Sequence, residues 1–304
     1  MNSITILCTT SSFSAKNFPD QLHVICNPYK RRLNEDEVIE LVKKYQPDGI
    51  IAGLEPITSR VLKEARRLKI ISRCGVGLDS VDLIAAKDKG IKVFNTPDAP
   101  VRPVAELTVA MIFALVRNLL KMDSNTKKGI WEKINASLLS EKTVGIIGCG
   151  RIGTRVASIL YETGCRILGY DLLKIKSKYF KSVSFHEILT LSDIISIHIP
   201  LTPENYHIIS RNEIKKMKPG TILVNTSRGG LIDEEALYEY LKNGHLGGAG
   251  LDVFEEEPYN GPLCQLENVI LTPHAGSSAG ESRLRMEEES VENLVRGLKE
   301  LSLI

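Results

Sequence analysis

The residues whose types and spacing could do chemistry begin between positions 143 and 171, in TVGIIGCGRIGTRVASILYETGCRILGYD. Gly148, Gly150 and Gly153 form G-x-G-x-x-G, behind an apolar run and ahead of Ile152, Val156, Ile159 and Leu160 at helical spacing. Such glycines allow, in turn, a tight turn, a close approach of backbone N–H groups to a pyrophosphate, and close packing of helix on strand. The helix N-terminus would face the anion. Asp171 ends the next strand, where a carboxylate can accept hydrogen bonds from adenosine ribose hydroxyls and would repel a 2′-phosphate. NAD is therefore expected rather than NADP. Glycines at this spacing often mark only a loop, and the plainer role of such an aspartate is a helix or turn cap. Strand, glycines, helix and acid in one unit favour the dinucleotide.

Three later segments bring polar side chains to the ends of apolar runs, where ligands bind in open α/β sheets: NTSRGGLID, LDVFEEEP and TPHAGSS. They carry Arg228, the acids at 255–257, and His274. An imidazole can take and return a proton near neutral pH. A planar guanidinium fits a carboxylate bidentately, as an ammonium does not. Taken singly, a backbone-bonded histidine, a solvated acid turn and a surface arginine would each be ordinary.

These residues need a scaffold. The chain has 304 residues, 43% hydrophobic and 25% charged, a globular composition with room for two domains. The net charge of +2 gives no reason to expect a nucleic acid or an anionic membrane as partner. MNSITILCTT lacks a charged region followed by a long apolar core, and the longest apolar run, residues 109–116, is too short to span a bilayer. A cytoplasmic location is expected. Cys8, Cys26, Cys74, Cys149, Cys165 and Cys264 include no C-x-x-C pair, which argues against zinc or a disulfide framework and for reduced, mostly buried thiols.

Strands are expected at 4–7, 22–26, 49–52, 69–73 and 91–94. Helices follow Asn34, follow Thr58 through residue 68, and cover 81–89 after the glycine turn CGVGLDSVD. Pro97, Pro100 and Pro103 mark a domain boundary, and 104–122 reads as one long apolar helix. Further strands are expected at 193–199, 221–225, 248–254 and 269–272, with a helix at 233–241. Their near-continuous apolar runs suit a parallel sheet buried on both faces. An amphipathic helix from Glu281 would return to the first domain.

With GCGRIG, GVGLDSVD and the order Arg228, Glu257, His274, the chain resembles the D-isomer-specific 2-hydroxyacid dehydrogenases along essentially its whole length. Within that family it is most similar to the D-3-phosphoglycerate dehydrogenases. The resemblance implies an α/β fold of two Rossmann-like or flavodoxin-like parallel-sheet domains. A substrate domain, 1–96 and 278–304, would hold an inserted NAD domain, 97–277, with the active site in a cleft that closes to exclude water. It implies hydride transfer between C2 of a D-2-hydroxy acid and nicotinamide, with His274 as acid/base. Glu257, directly before Pro258 as in the family's EEP pattern, would pair with that histidine, although Glu255 and Glu256 are its neighbours. Arg228 would bind the substrate carboxylate and polarise the C2 oxygen, and Gly75, Val76 and Gly77 would grip the same carboxylate through backbone N–H groups.

For the cofactor the resemblance assigns Arg151 and Ile152 to the pyrophosphate, Asp171 to ribose, His198, Ile199 and Pro200 to the adenine side, and Asp252 to the carboxamide. Thr96, Thr226, Ser227 and Gly276 would line the groove. No metal is implied. Arg73 would lie near a distal phosphate, which is the reason to prefer 3-phosphoglycerate and the serine pathway. A glyoxylate or hydroxypyruvate reductase is the near rival, a non-enzymatic NAD-sensing co-repressor the distant one, and a formate dehydrogenase fits the glutamate less well. His23, His186, His207 and His245 are expected to be structural or exposed. A homodimer is implied, with the helix from Val104 and the loop around Trp131 as contacts. The chain stops just after its last helix, without the C-terminal modules of longer phosphoglycerate dehydrogenases, so serine feedback is not expected.

Overall fold

The computed structural model describes residues 4–14 and 18–304; residues 1–3 and 15–17 of the expected first domain lie outside them. It divides into two compact units, Met1–Pro100 with Ser278–Ile304, and Val101–Ser277.

Runs of Ile, Leu and Val make the first sheet. Its strands are β1 (Ile4–Cys8), β2 (Leu22–Cys26), β3 (Gly49–Ala52), β4 (Ile70–Arg73) and β5 (Lys92–Asn95). All pair in parallel in the order β2-β1-β3-β4-β5, the flavodoxin-like doubly wound arrangement. The central strands β3 and β4 are buried throughout; β3 is accordingly apolar without alternation, while β4 ends on the buried polar residues Ser72 and Arg73. Helix α1 (Glu35–Tyr45) starts at Asn34, whose side chain and that of Glu37 form a reciprocal capping box. Helix α2 (Ser59–Glu64) stops short of residue 68. Arg66 instead donates its N–H to Gln46, and the Arg67 guanidinium forks onto Asp48, holding the connection to β4 out of helix. Helix α3 (Leu83–Asp88) is capped by Asp82.

In the second unit the expected long helix is two, α4 (Val101–Val116) and α5 (Leu119–Lys127), bent by 64°. Asn118 between them has φ 51, a left-handed conformation that Asn tolerates better than most residues. Pro103 falls in the first turn of α4, where an N–H has no helical partner to lose. The sheet comprises β6 (Thr143–Ile147), β7 (Arg166–Tyr170), β8 (Lys181–Ser182), β9 (Ile194–Ile197), β10 (Thr221–Asn225), β11 (Leu246–Leu251) and β12 (Val269–Leu271). Helices α6 (Arg151–Tyr161), α7 (Phe185–Leu191), α8 (Arg211–Lys216) and α9 (Glu234–Lys242) lie between its strands in sequence. The parallel order β12-β11-β10-β9-β6-β7-β8 is Rossmann-like, and it reverses between β6 and β9. One face buries Ala105, Ile112 and Val116 of α4 against Val144, Val156 and Leu160; the other buries Ile188, Ile214, Leu237 and Leu241.

Helix α10 (Gly280–Glu300) belongs to the first unit. Met286, Val291, Leu294 and Leu298 pack on Ile6, Ile51 and Ile70, and Ser72 Oγ donates to the Ser290 carbonyl at 2.8 Å. Among the described residues no single helix is long and apolar enough to cross a membrane.

Candidate functional site

Ligands of open α/β sheets bind where strand order reverses, here at the carboxyl ends of β6 and β9. Gly148, just past β6, has φ +91, and a Cβ on it would lie 2.6 Å from the His198 carbonyl oxygen beyond β9. Only glycine lets the two strand ends approach so closely. Gly150 caps α6 without a side-chain bond, and a Cβ there would meet nothing within 4 Å. The N-terminal amides of α6 therefore open onto space that a pyrophosphate fits. Arg151, exposed, and Ile152, half-buried, begin that helix. Asp171 Oδ2 accepts the Cys149 N–H at 2.8 Å and Oδ1 the Leu173 N–H at 2.9 Å. The aspartate thus braces the glycine loop from the end of β7.

β9 stops at Ile197, leaving His198, Ile199 and Pro200 as the wall of the switch point. His198 Nε2 lies 2.9 Å from Ser196 Oγ. Burial lowers its pKa to about 3, so the ring is a neutral wall and not a proton donor. Ser227 Oγ donates to the Ile199 carbonyl at 2.5 Å, and Thr226 Oγ1 lies 2.8 Å from Thr108 Oγ1 on α4. Both side chains are spent on pinning the loop after β10. Burial, with Asp171 beside it, pushes the Cys149 thiol up to about 12.

The same loop carries Arg228. Asn225 orders it, accepting the Ser227 N–H at 3.0 Å and donating Nδ2 to the Arg228 carbonyl at 2.7 Å. Asn225 is a determinant that no motif in the sequence marks beyond its place at a strand end, where an Asn side chain commonly bonds the backbone two residues on. Arg228 Nη1 donates to the Ser227 carbonyl at 2.6 Å. Next to it, a Cβ on Gly229 would lie 1.9 Å from the Phe254 carbonyl carbon. This backbone contact seats the Arg228 turn on the segment that leads to Glu257.

β11 ends at Leu251, earlier than residue 254, which frees the acid segment. Two of its three glutamates, Glu255 and Glu257, separate by partner. Glu255 accepts from Tyr206 Oη at 2.9 Å and lies 3.0 Å from His207 Nε2. Glu257 faces His274, with Oε1 and Oε2 each 3.0 Å from Nδ1. Glu257 Oε1 also accepts the Phe254 N–H at 3.3 Å. The His274 and Glu257 side chains are 26% and 22% exposed, enough to meet a ligand. With Nδ1 turned to the carboxylate, Nε2 is the nitrogen left to exchange a proton.

Asp252 is fully buried and shapes the histidine loop. Its Oδ1 accepts from Thr272 Oγ1 at 2.5 Å and from the Ala275 N–H at 2.7 Å, and Oδ2 accepts the Gly276 N–H at 2.7 Å. These bonds bracket His274, whose φ of 53 is left-handed and costs a non-glycine residue about 1 kcal/mol. Both carboxylate oxygens are thus already engaged with the chain, whatever else they meet at a carboxamide.

In the first unit, Gly75 has φ +140 and donates its N–H to Thr96 Oγ1 at 2.7 Å. Thr96, expected to line the cofactor groove, is fully buried and holds this loop. The Gly75 amide is therefore committed, while Val76 is 39% exposed and Gly77 partly so. Asn95 Nδ2 supports the turn from the Val76 carbonyl at 2.7 Å. Arg73 is only 7% exposed, and its guanidinium folds beneath Gly75 and bonds the Cys74 carbonyl. Among the described residues no cluster of three His, Cys, Asp or Glu side chains could hold a metal.

A Rossmann-order sheet with a glycine loop at its switch point, and a histidine–glutamate pair on neighbouring loops, defines a dinucleotide-linked oxidoreductase architecture. Residues 109–276 match the family model "D-isomer specific 2-hydroxyacid dehydrogenase, NAD binding domain". The chain belongs to that family of NAD-dependent enzymes. It is 40% identical over 273 residues to the hydroxypyruvate reductase of Thermotoga maritima, covering 88% of this chain and 89% of that one. It is also 40% identical over 277 residues to the D-3-phosphoglycerate dehydrogenase of Methanocaldococcus jannaschii, covering 87% of this chain but 52% of that longer protein. Among solved structures, the D-lactate dehydrogenase of Aquifex aeolicus, complexed with NAD and lactic acid, superposes with a TM-score of 0.85 at 31% identity, covering 98% and 96% of the two chains.

Proposed function

We propose that this protein interconverts a D-2-hydroxy acid and its 2-oxo acid with NAD(H). The observation that carries the proposal is the Glu257–His274 pair, both carboxylate oxygens 3.0 Å from Nδ1. The carboxylate fixes the ring so that Nε2 takes the hydroxyl proton in oxidation and returns it to the carbonyl oxygen in reduction. Arg228 holds the substrate carboxylate and draws charge onto the C2 oxygen. When bound, the nicotinamide supplies the hydride acceptor or donor. Gly148, Gly150, Arg151 and Ile152 would hold its pyrophosphate, and Asp171 the ribose.

Within this activity the finer reading is 3-phosphoglycerate oxidation in serine biosynthesis, supported by the likeness to the Methanocaldococcus enzyme. A second reading, reduction of unphosphorylated hydroxypyruvate or glyoxylate, is favoured by Arg73, whose guanidinium is buried beneath Gly75. The test follows NADH oxidation with 3-phosphohydroxypyruvate, hydroxypyruvate and glyoxylate. A preference in kcat/KM above about 100-fold for the phosphorylated acid, near 3 kcal/mol, supports a dedicated phosphate site. A reversed preference assigns the reductase, and turnover of none with NADH still bound argues for a sensor.

A second copy of the chain is proposed to cover α5 and the segment after it. None of the α5 side chains is buried, and Leu119, Leu120, Ile130, Trp131 and Leu138 are exposed, Trp131 at 90%. A monomeric mass at micromolar concentration would remove this part.

A further inference from the structure

The thiols that sequence spacing left unpaired are brought together by the first sheet. β1 and β2 run parallel in a register that makes Cys8 and Cys26 direct partners. Side chains alternate along a strand, and Cys8 shares a face with Ile4 and Ile6, as Cys26 does with Leu22 and Val24. The two thiols therefore stand side by side on the face that α10 covers. Neighbouring strands lie about 4.8 Å apart, inside the Cα separation of about 4.4–6.8 Å that a disulfide spans. Their surroundings differ: Cys8 is fully buried, whereas Cys26 is exposed at the end of the edge strand β2. We propose that Cys8 and Cys26 form a reversible dithiol site, in which Cys26 reacts with a hydroperoxide and Cys8 resolves the product to a disulfide.

The chemistry of the two sulfurs suits this division. A hydrogen bond from Cys8 lowers the Cys26 thiol to about 6 against an opposing effect of partial burial, so it is mostly thiolate at neutral pH. The Cys8 thiol is pushed well up, first by that same bond and then by burial, with Cys74 and Glu287 also facing it. Cys74, Cys149 and Cys165 are buried and raised, and so are poor nucleophiles. In the first step the Cys26 thiolate attacks one peroxide oxygen and the O–O bond breaks. Hydroxide, or alkoxide from an organic peroxide, leaves and takes a proton from solvent, and Cys26 becomes a sulfenic acid. In the second, Cys8 attacks that sulfur, the S–O bond breaks, and hydroxide leaves with the Cys8 proton as water. Two thiols have lost two electrons and two protons, and the peroxide has been reduced.

The disulfide would tie the exposed edge strand to the sheet at the point where Asn27 Nδ2 already donates to the Thr9 carbonyl at 3.0 Å. A dithiol substrate or reductant would reopen it by thiol–disulfide exchange. The test treats the reduced wild-type chain with one equivalent of hydrogen peroxide near pH 7. Expected are the loss of two of the six thiols, a peptide pair joined through Cys8 and Cys26, and recovery with dithiothreitol. Cys8→Ala should stop at a Cys26 sulfenic acid that dimedone traps, and Cys26→Ser should consume no thiol. Full thiol titre after peroxide, or a link confined to Cys264 of two chains, would overturn the proposal. Since the wild-type readout stands alone, a variant that fails to fold leaves it decidable.

Discussion

Asp252 Oδ2 accepts the N–H of Gly276 at 2.7 Å, and the same carboxylate takes the Ala275 N–H and the Thr272 hydroxyl. A single buried anion thereby holds the residues on both sides of His274 and keeps that histidine in a left-handed conformation against Glu257. Asp252→Asn replaces one acceptor by an N–H donor aimed at other donors. The variant should lose about 1–3 kcal/mol in urea unfolding. It should also lose kcat by about 100-fold, with NADH affinity changed far less.

Asp171 braces the glycine loop through Cys149, and in the proposed cofactor site its carboxylate would repel a 2′-phosphate. Asp171→Ser should raise the NADH dissociation constant about 10-fold, or ~1.4 kcal/mol. It should also narrow the preference over NADPH. Fluorescence titration of both cofactors measures this, and an unchanged ratio would assign the carboxylate a purely bracing role.

Gly229 packs backbone to backbone on Phe254, with no flexible side chain able to give way. Gly229→Ala should cost about 3 kcal/mol or more and shift the Arg228 turn. The expected result is a lower urea midpoint together with a KM for the 2-oxo acid that rises more than the KM for NADH.

His198 links pH to stability. The folded state keeps its imidazole neutral down to about pH 3, whereas an unfolded imidazole protonates below about 6.5. Between those values the unfolded chain binds the extra proton, so this group lowers stability as pH falls. The slope is at most ~1.4 kcal/mol per pH unit, reduced by the partly exposed edge of the ring. His198→Asn should flatten the acid limb of the stability curve below about pH 6.5 and leave it unchanged at pH 8.

Much of this architecture is legible in the chain. The run 143–171 announces strand, glycine loop, helix and acid because each depends on local backbone chemistry. Other features are set by tertiary contact. Asn118 breaks the apolar helix by a left-handed residue that periodicity does not register. Helices α7 and α8 are too short to show a hydrophobic period, although Ser184 with Glu187 and Ser210 with Glu213 spell their capping boxes. Which of Glu255 and Glu257 meets the histidine depends on how the turn folds back. By resemblance Arg73 would lie near a distal phosphate, and only the folded loop shows its guanidinium tucked beneath Gly75. Cys8 and Cys26 have no sequence relation at all; parallel pairing makes them neighbours.

The most direct test of the proposed chemistry compares wild-type with His274→Asn for reduction of the best 2-oxo acid, with NADH binding measured on the same samples. Loss of kcat by about 10²–10⁴-fold, with the NADH dissociation constant within about twofold, is the predicted result. A His274→Asn enzyme that keeps turnover within about tenfold of wild-type would contradict the assignment of His274 as the group that moves the proton.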